Sequence, residues 1–315
     1  MIAAALARER SAARQCELAS TLVVARVHQL TPAQMHRVVK WASCVPSMTV
    51  CPPTQVQFVN QQRPPGPSPP TVPNISFLVR QVLVDVSGGH QTALELRSAL
   101  DACGSTGASV VEFTSEAMEH LYPDLVQHTA LRNAHLVARS WGFLSHAWGF
   151  AAEALIVGLT GRSTDRAVRH IWVLEQDCDF AGPLSELIAD YASTEADLVA
   201  KTLHDSATMS SWQWHDTATP AFLAAYGAHR CSAHIHAFRL SRRLLEALAV
   251  AANAGQIGWG EMSIPTLCIA NGWRWEQLAP KHIGEPFTYD NNLAIVEPAK
   301  FELCERGRLY HPLKF

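Results

Sequence analysis

The chain has 315 residues, is 48% apolar and 17% charged, and carries a formal net charge of -3. That is an ordinary globular composition with ample material for a sizeable core. No long Lys/Arg block accompanies the near-neutral charge, which argues against a nucleic-acid-binding protein.

The 8 Cys are scattered, with no C-x-x-C pair, so the spacing suggests no zinc site and demands no disulfide. Residues 1–50 are rich in Ala and Arg, with helical patches such as 19–28. No apolar run of about 18 residues occurs, so no transmembrane helix is expected. The start, MIAAALARER, has too short an apolar segment, followed by charge, for a signal peptide. Its Arg-rich character fits a transit peptide, against which Glu9 and Glu17 count. Residues 52–73 include RPPGPSPPTVP, an extended proline-rich linker. The expected division is therefore a poorly ordered segment and linker over 1–73 and one folded domain over 74–315.

Residues 75–86, ISFLVRQVLVDV, read as the first strand, followed by Ser87-Gly88-Gly89. A Gly-rich turn after a strand lets the backbone approach a ligand, although a plain turn explains it too. A helix is expected over 91–102, from Ala93, Leu96 and Leu100, and a short strand over 109–113. Residues 115–125 and 130–138 look helical, and 140–159 forms a strongly apolar helix.

The central stretch is RHIWVLEQDCDFAG, residues 169–182. The apolar run 170–174 reads as a buried strand. It gives way within one residue to Glu175, Asp177 and Asp179. Carboxylates cannot be buried unpaired, so the strand ends at an opening and the acids face something positive. In an open α/β sheet, ligands bind outside the carboxyl ends of the strands. A hard divalent cation is the natural partner of clustered carboxylates, and an acidic surface turn is the plain alternative.

A helix over 183–191 and a strand over 197–203 follow. Strand, helix, strand at this spacing supports a mainly parallel α/β sheet. Residues 209–216, MSSWQWHD, form a loop in which Trp212 and Trp214 either make a sugar platform or cover the core. Residues 230–239 read as a strand. His234 and His236 share a face there and could bind a metal, but the acidic motif offers a hard ion a better site, so the pair is read as structural. Residues 240–254 form an amphipathic helix with Gly255 as its C-cap. Glu261 opens a short apolar helix running to about 270, where the helix dipole alone would favour an acid. The tail is GRLYHPLKF.

The strand and acidic motif resemble those of GT-A-type glycosyltransferases, which use nucleotide-sugar donors. The resemblance implies an α/β fold of GT-A (Rossmann-like) type, with three layers and a mixed, mostly parallel central sheet. It implies an E-x-D motif, Glu175-Gln176-Asp177, that holds Mn²⁺ or Mg²⁺ on the donor diphosphate. Asp177 would be the direct metal ligand, Asp179 an extra acid, and His311 the histidine that completes the site. Glu175, Ser87 and Lys314 would serve the donor, Lys314 by reaching a phosphate. Glu261 would meet the acceptor hydroxyl, deprotonating it if the reaction inverts and positioning the acceptor if it retains configuration. Trp212 and Trp214, read from their loop as a sugar platform, would hold the acceptor. If one ion is shared, the His311 imidazole should lie within about 8 Å of the Asp177 carboxylate.

The expected function is metal-dependent transfer of a sugar from a nucleotide-diphosphate donor to a hydroxyl on a glycan or protein. No nucleic-acid partner is expected. The resemblance implies a Golgi setting, while a chain without a membrane helix or clear signal peptide fits a soluble, cytoplasmic protein as well. Two rivals stand: a metal-dependent phosphohydrolase or nucleotidyltransferase, and a catalytically inactive nucleotide-sugar-binding module.

Overall fold

Ile171, Trp172, Val173 and Leu174 are each 1% exposed or less, which is why this part of the sequence is apolar without alternation. They lie in β4 (His170–Glu175). The structure is a computed structural model that describes residues 21–27, 30–43, 79–85, 89–102, 108–114, 169–212, 215–256, 258–288 and 290–314.

β4 stands inside a seven-stranded sheet of order β3-β2-β1-β4-β7-β6-β8. The other strands are β1 (Thr21–Val27), β2 (Val79–Asp85), β3 (Ala108–Phe113), β6 (Leu198–His204), β7 (Ser232–Ser241) and β8 (Trp275–Gln277). The pairs β1–β2, β2–β3, β1–β4 and β6–β8 are parallel. β7 runs antiparallel to both β4 and β6. A three-stranded sheet holds β5 (Asp179–Phe180), β10 (Leu309–His311) and β9 (Ile283–Phe287) in that order.

Helices cover both faces of the large sheet. On one face Ile171 and Val173 pack with Leu244 and Leu248 of α5 (Arg242–Asn253) and Met262 of α6 (Gly260–Ala270). On the other, Trp172 and Leu174 pack with Val38 of α1 (Pro32–Ser43), Leu96 of α2 (Gln91–Ala102) and Leu187 of α3 (Leu184–Asp190). Side chains that alternate faces along β4 thus feed two cores. Each such buried side chain contributes roughly 1.5–3 kcal/mol.

Two expectations are corrected. Residues 19–28 were read as helical, but Thr21–Val27 is β1, with β2 on one side and β4 on the other. The β-branched run TLVVARV suits a strand ringed by strands. A folded domain beginning at 74 also fails, because β1 lies in the sheet and Val38 of α1 is fully buried in the core. Residues 44–78, with the proline-rich stretch, and the expected helices over 115–159 lie outside the described residues.

The sheet is mixed, as expected. The expected elements over 91–102, 183–191, 197–203, 230–239 and 240–254 are all found within a few residues of their reading. Ser241 caps α5, accepting from the Leu244 amide at 3.2 Å, and Gly255 follows the helix at φ +65°. Sequence reading missed α1, α4 (Pro220–Tyr226), α7 (Pro298–Glu302) and the short strands β8, β9 and β10.

Asp197 ties the start of β6 to the start of α5. It accepts from Ser241 Oγ at 2.6 Å and pairs with Arg243. Burial raises its carboxyl, but Arg243 and Ser241 outweigh that and hold it below the usual range. A depressed carboxyl means that the unfolded chain binds the extra proton, so this stability is present above the ordinary value of about 3.9 and lost as pH falls below it. Arg243 is largely exposed, so the contribution is expected to be only about 1 kcal/mol. Asp197→Asn should cost about that much at pH 7 and nearly nothing at pH 3, as read by denaturant unfolding at both.

Candidate functional site

From β1 the chain passes to β2 and β3 on one side and returns to β4 on the other. The strand order therefore reverses between β1 and β4, and the carboxyl ends of such a pair flank a crevice where ligands bind. Glu175 is the last residue of β4, in register with Arg26 of β1.

Three further segments converge there. β7 pairs Ala237 with Leu174, which places His236 beside Glu175, and His236 Nδ1 lies 2.7 Å from Glu175 Oε2. The C-terminal tail arrives through β10, where Tyr310 pairs with Asp179 and Leu309 with Phe180. The Leu313 amide then donates to the Asp177 carbonyl at 2.8 Å. This lacing brings His311 Nε2 to 3.3 Å from Asp177 Oδ1 and 3.9 Å from Glu175 Oε2. The expectation that His311 lies within about 8 Å of Asp177 is met.

The rings of His236 and His311 stack, with centroids 3.5 Å apart and planes 13° apart. Glu175, His236 and His311 each offer one ligand atom, and these atoms all lie within 4.8 Å of one another. Burial lowers His236, against the pull of Glu175 toward the charged form. Burial, with His236 and Lys201 nearby, lowers His234 to about 2. Neutral imidazoles keep a lone pair for a metal.

The His311 ring is fixed by its other nitrogen, since Nδ1 lies 2.7 Å from the Thr288 carbonyl and can only donate to it. In the neutral ring the lone pair is then on Nε2, aimed at two carboxylates. Clustered carboxylates call for positive charge, which Lys314 supplies to Asp177 and a cation among the three groups would supply to Glu175. Asp177 is the next group outward. Burial raises its carboxyl, but His311 and Lys314 more than offset this and leave it well below the usual range. Lys314 pairs with it directly, and the Lys314 side chain remains 43% exposed.

Asp179 does not join this group. Its carboxylate lies 3.2 Å from Lys40 and 3.8 Å from Arg37, and it accepts from the Phe180 amide at 2.8 Å. The expected role as an extra metal acid is thus replaced by an anchor for α1. Asp179→Asn is expected to cost about 2 kcal/mol, because the Arg37 charge is buried, and to change metal affinity less than twofold. Denaturant unfolding and a metal titration of the variant check the two halves.

Glu261 sits in the first turn of α6, 5% exposed. Trp212 is 9% exposed and packs in the core with its ring near His204, so it covers the core and makes no open sugar platform. Ser87 and Trp214 lie outside the described residues. Sequence reading set His236 aside as structural, although the alternation H-x-H on a strand was the signal for it. Cys178, between the acids, is a buried free thiol, its pKa pushed up by burial and by the carboxylates around it. Among the described residues no helix is long and apolar enough to cross a membrane.

No family model matches the sequence, and no curated protein matches it. Among solved structures, the apo form of mouse xyloside xylosyltransferase 1 aligns over 92% of this chain and 97% of its own, at 10% identity and a TM-score of 0.42. A likeness that loose carries neither fold nor function across.

Proposed function

We propose that this protein is a metal-dependent glycosyltransferase that moves a sugar from a nucleotide-diphosphate donor to a hydroxyl acceptor. The observation that supports this most is the meeting of Glu175, His236 and His311 at the carboxyl end of β4, with Asp177 and Lys314 beside them. A GT-A-type fold and its E-x-D motif are the reading that joins this site to the sequence resemblance.

The residues fit a divalent ion. Carboxylate oxygens and a buried neutral imidazole, His236, are available, and His311 Nε2 faces two carboxylates. Glu175, His236 and His311 would hold it, with Asp177 next to them, and imidazole ligands favour Mn²⁺ over Mg²⁺. When bound, the ion would act as a Lewis acid on the leaving diphosphate. Lys314, tied to Asp177 yet partly exposed, would swing to a donor phosphate. The Thr288 carbonyl keeps the His311 ring oriented, as outer groups do around ligating histidines. Glu261 would take the proton of the acceptor hydroxyl if the reaction inverts, and position the acceptor if it retains configuration. Ser87 and Trp214 keep their proposed donor and acceptor roles.

The test is a panel of nucleotide sugars with Mn²⁺, scored for free nucleotide and for transfer to added glycans. Metal-dependent release from one donor is the expected result, and no release from any donor overturns the proposal. A metal-dependent phosphohydrolase is the second reading, favoured by the two-imidazole, one-carboxylate donor set, which also serves hydrolytic metals. It predicts turnover of simple phosphate esters and none of nucleotide sugars. A Golgi setting goes with the first reading, and a diffuse cytosolic signal from tagged full-length protein would count against it.

A further inference from the structure

Lys201 of β6 is half-buried, and burial lowers its pKa with no carboxylate among the described residues to offset the lost water. A charge taken out of water without an ion pair is costly, so its presence there calls for a reason. Its ammonium donates to the Phe287 carbonyl at 2.9 Å and stands 5.7 Å from the centre of the Phe287 ring, over its face.

Phe287 is the last residue of β9, an edge strand of the three-stranded sheet. One row of backbone groups on an edge strand has no partner strand. The Phe287–Thr288 peptide is trans, so its carbonyl and its N–H point to opposite sides. The Thr288 amide donates to the His311 carbonyl at 3.1 Å, on the β10 side. The Phe287 carbonyl therefore faces away from β10, and Lys201 meets it there from the seven-stranded sheet. One peptide plane is thus clamped from both sides.

The next carbonyl in the chain, that of Thr288, is the one 2.7 Å from His311 Nδ1. This matters because the candidate metal centre is split between sheets. Glu175 and His236 stand on β4 and β7 of the large sheet, and His311 on β10 of the small one. The 3.9 Å from His311 Nε2 to Glu175 Oε2 depends on how the two sheets are held together. The Phe287 ring is wedged at the same junction, with its centre 5.7 Å from that of His234, 6.0 Å from His236 and 6.5 Å from His311.

We infer that Lys201 is a positioning residue of this centre. It clamps the Phe287–Thr288 peptide so that the Thr288 carbonyl holds the His311 ring by Nδ1–H and keeps Nε2 toward Glu175 and Asp177. The ammonium acts through Phe287 and Thr288 rather than on the ion, and the role rests on the metal-dependent reading above.

Two measurements on one set of variants test it. In Mn²⁺ titration, Lys201→Met should bind about three- to tenfold more weakly than wild type. That is less than the roughly 10–100-fold lost with a group bonded directly to a ligating residue. Lys201→Gln, which is too short to reach the carbonyl, should show the same loss. Lys201→Arg keeps a donor of full length and should return to within about twofold of wild type. Nitrogen NMR of the His311 imidazole is recorded without metal, at a pH alkaline enough to leave the ring neutral. Wild type and Lys201→Arg should show one tautomer, with the proton on Nδ1, and the other two variants a mixture. A lysine that only stabilised the fold would lower the unfolding midpoint and leave that proton where it is. Unchanged Mn²⁺ affinity in Lys201→Met and Lys201→Gln, or a single tautomer in all four proteins, overturns the role. Nucleotide-sugar turnover is measured on the same wild-type sample. Mn²⁺ binding that Lys201→Met weakens, without turnover of any donor, sinks the proposed function and spares the role of Lys201. Turnover with Mn²⁺ affinity unchanged in the variants does the reverse. A wild type that binds no Mn²⁺ overturns both.

Discussion

Glu175→Gln is expected to lower Mn²⁺-dependent nucleotide release more than about 100-fold, beyond what outer-shell changes usually cost a metal site. The substitution keeps the shape and one hydrogen-bonding oxygen but removes the charge that faces His236 and His311. The fold should survive, because Glu175 packs no core and its side chain is already 24% exposed. One hydrogen bond to His236 weakens, at a cost of about 1 kcal/mol. Direct Mn²⁺ titration should therefore show the lost affinity in a protein that unfolds at nearly the wild-type denaturant concentration. Asp177→Asn is the comparison. It releases Lys314 and leaves His311 facing one carboxylate, so it should also lower turnover while metal binding persists at higher concentration. If Glu175→Gln turns over within threefold of wild type while Asp177→Asn is dead, Asp177 is the direct ligand and the centre drawn on Glu175 is wrong.

The contrast between those two acids shows what the sequence carries. The step from an apolar strand to acids located the site, because burial of 171–174 and the cost of an unpaired carboxylate leave few options. The tail histidine followed from the family resemblance, and its place beside Asp177 was met. The choice among acids was not legible, since Asp177 and Asp179 have the same chemistry and differ in what comes to meet them. Arg37 and Lys40 come from α1, far back in the chain, and claim Asp179. That pairing was hidden because residues 1–73 were set aside on composition. β1 looked helical in isolation, and only its neighbours on both sides make it a strand. His236 was visible as one of an alternating pair, but its partner Glu175 sits on another strand, and no local pattern reports that pairing.

Arg239→Ala is expected to destabilise the protein by more than about 4 kcal/mol, in the range reserved for broken buried networks. Arg239 lies on β7 and is fully buried. Its guanidinium donates to the carbonyls of Tyr191, Thr194 and Ala196, at 2.9, 2.9 and 3.0 Å. Those carbonyls belong to the turn between α3 and β6, so one planar fork fixes the chain's path between two elements. Truncation leaves the carbonyls without these donors at roughly 1–3 kcal/mol each, and opens a cavity of side-chain size beside Trp172 and Tyr191. Arg239→Lys should recover only part of the loss, since a compact ammonium cannot span three carbonyls held by two nitrogens. Arg239→Met should fall between Lys and Ala, because it fills volume without donating. Guanidinium denaturation of the four proteins reads the order directly, and a loss under 1 kcal/mol for Arg239→Ala would show that the turn is held by other contacts. The turn leads straight into Asp197 and β6.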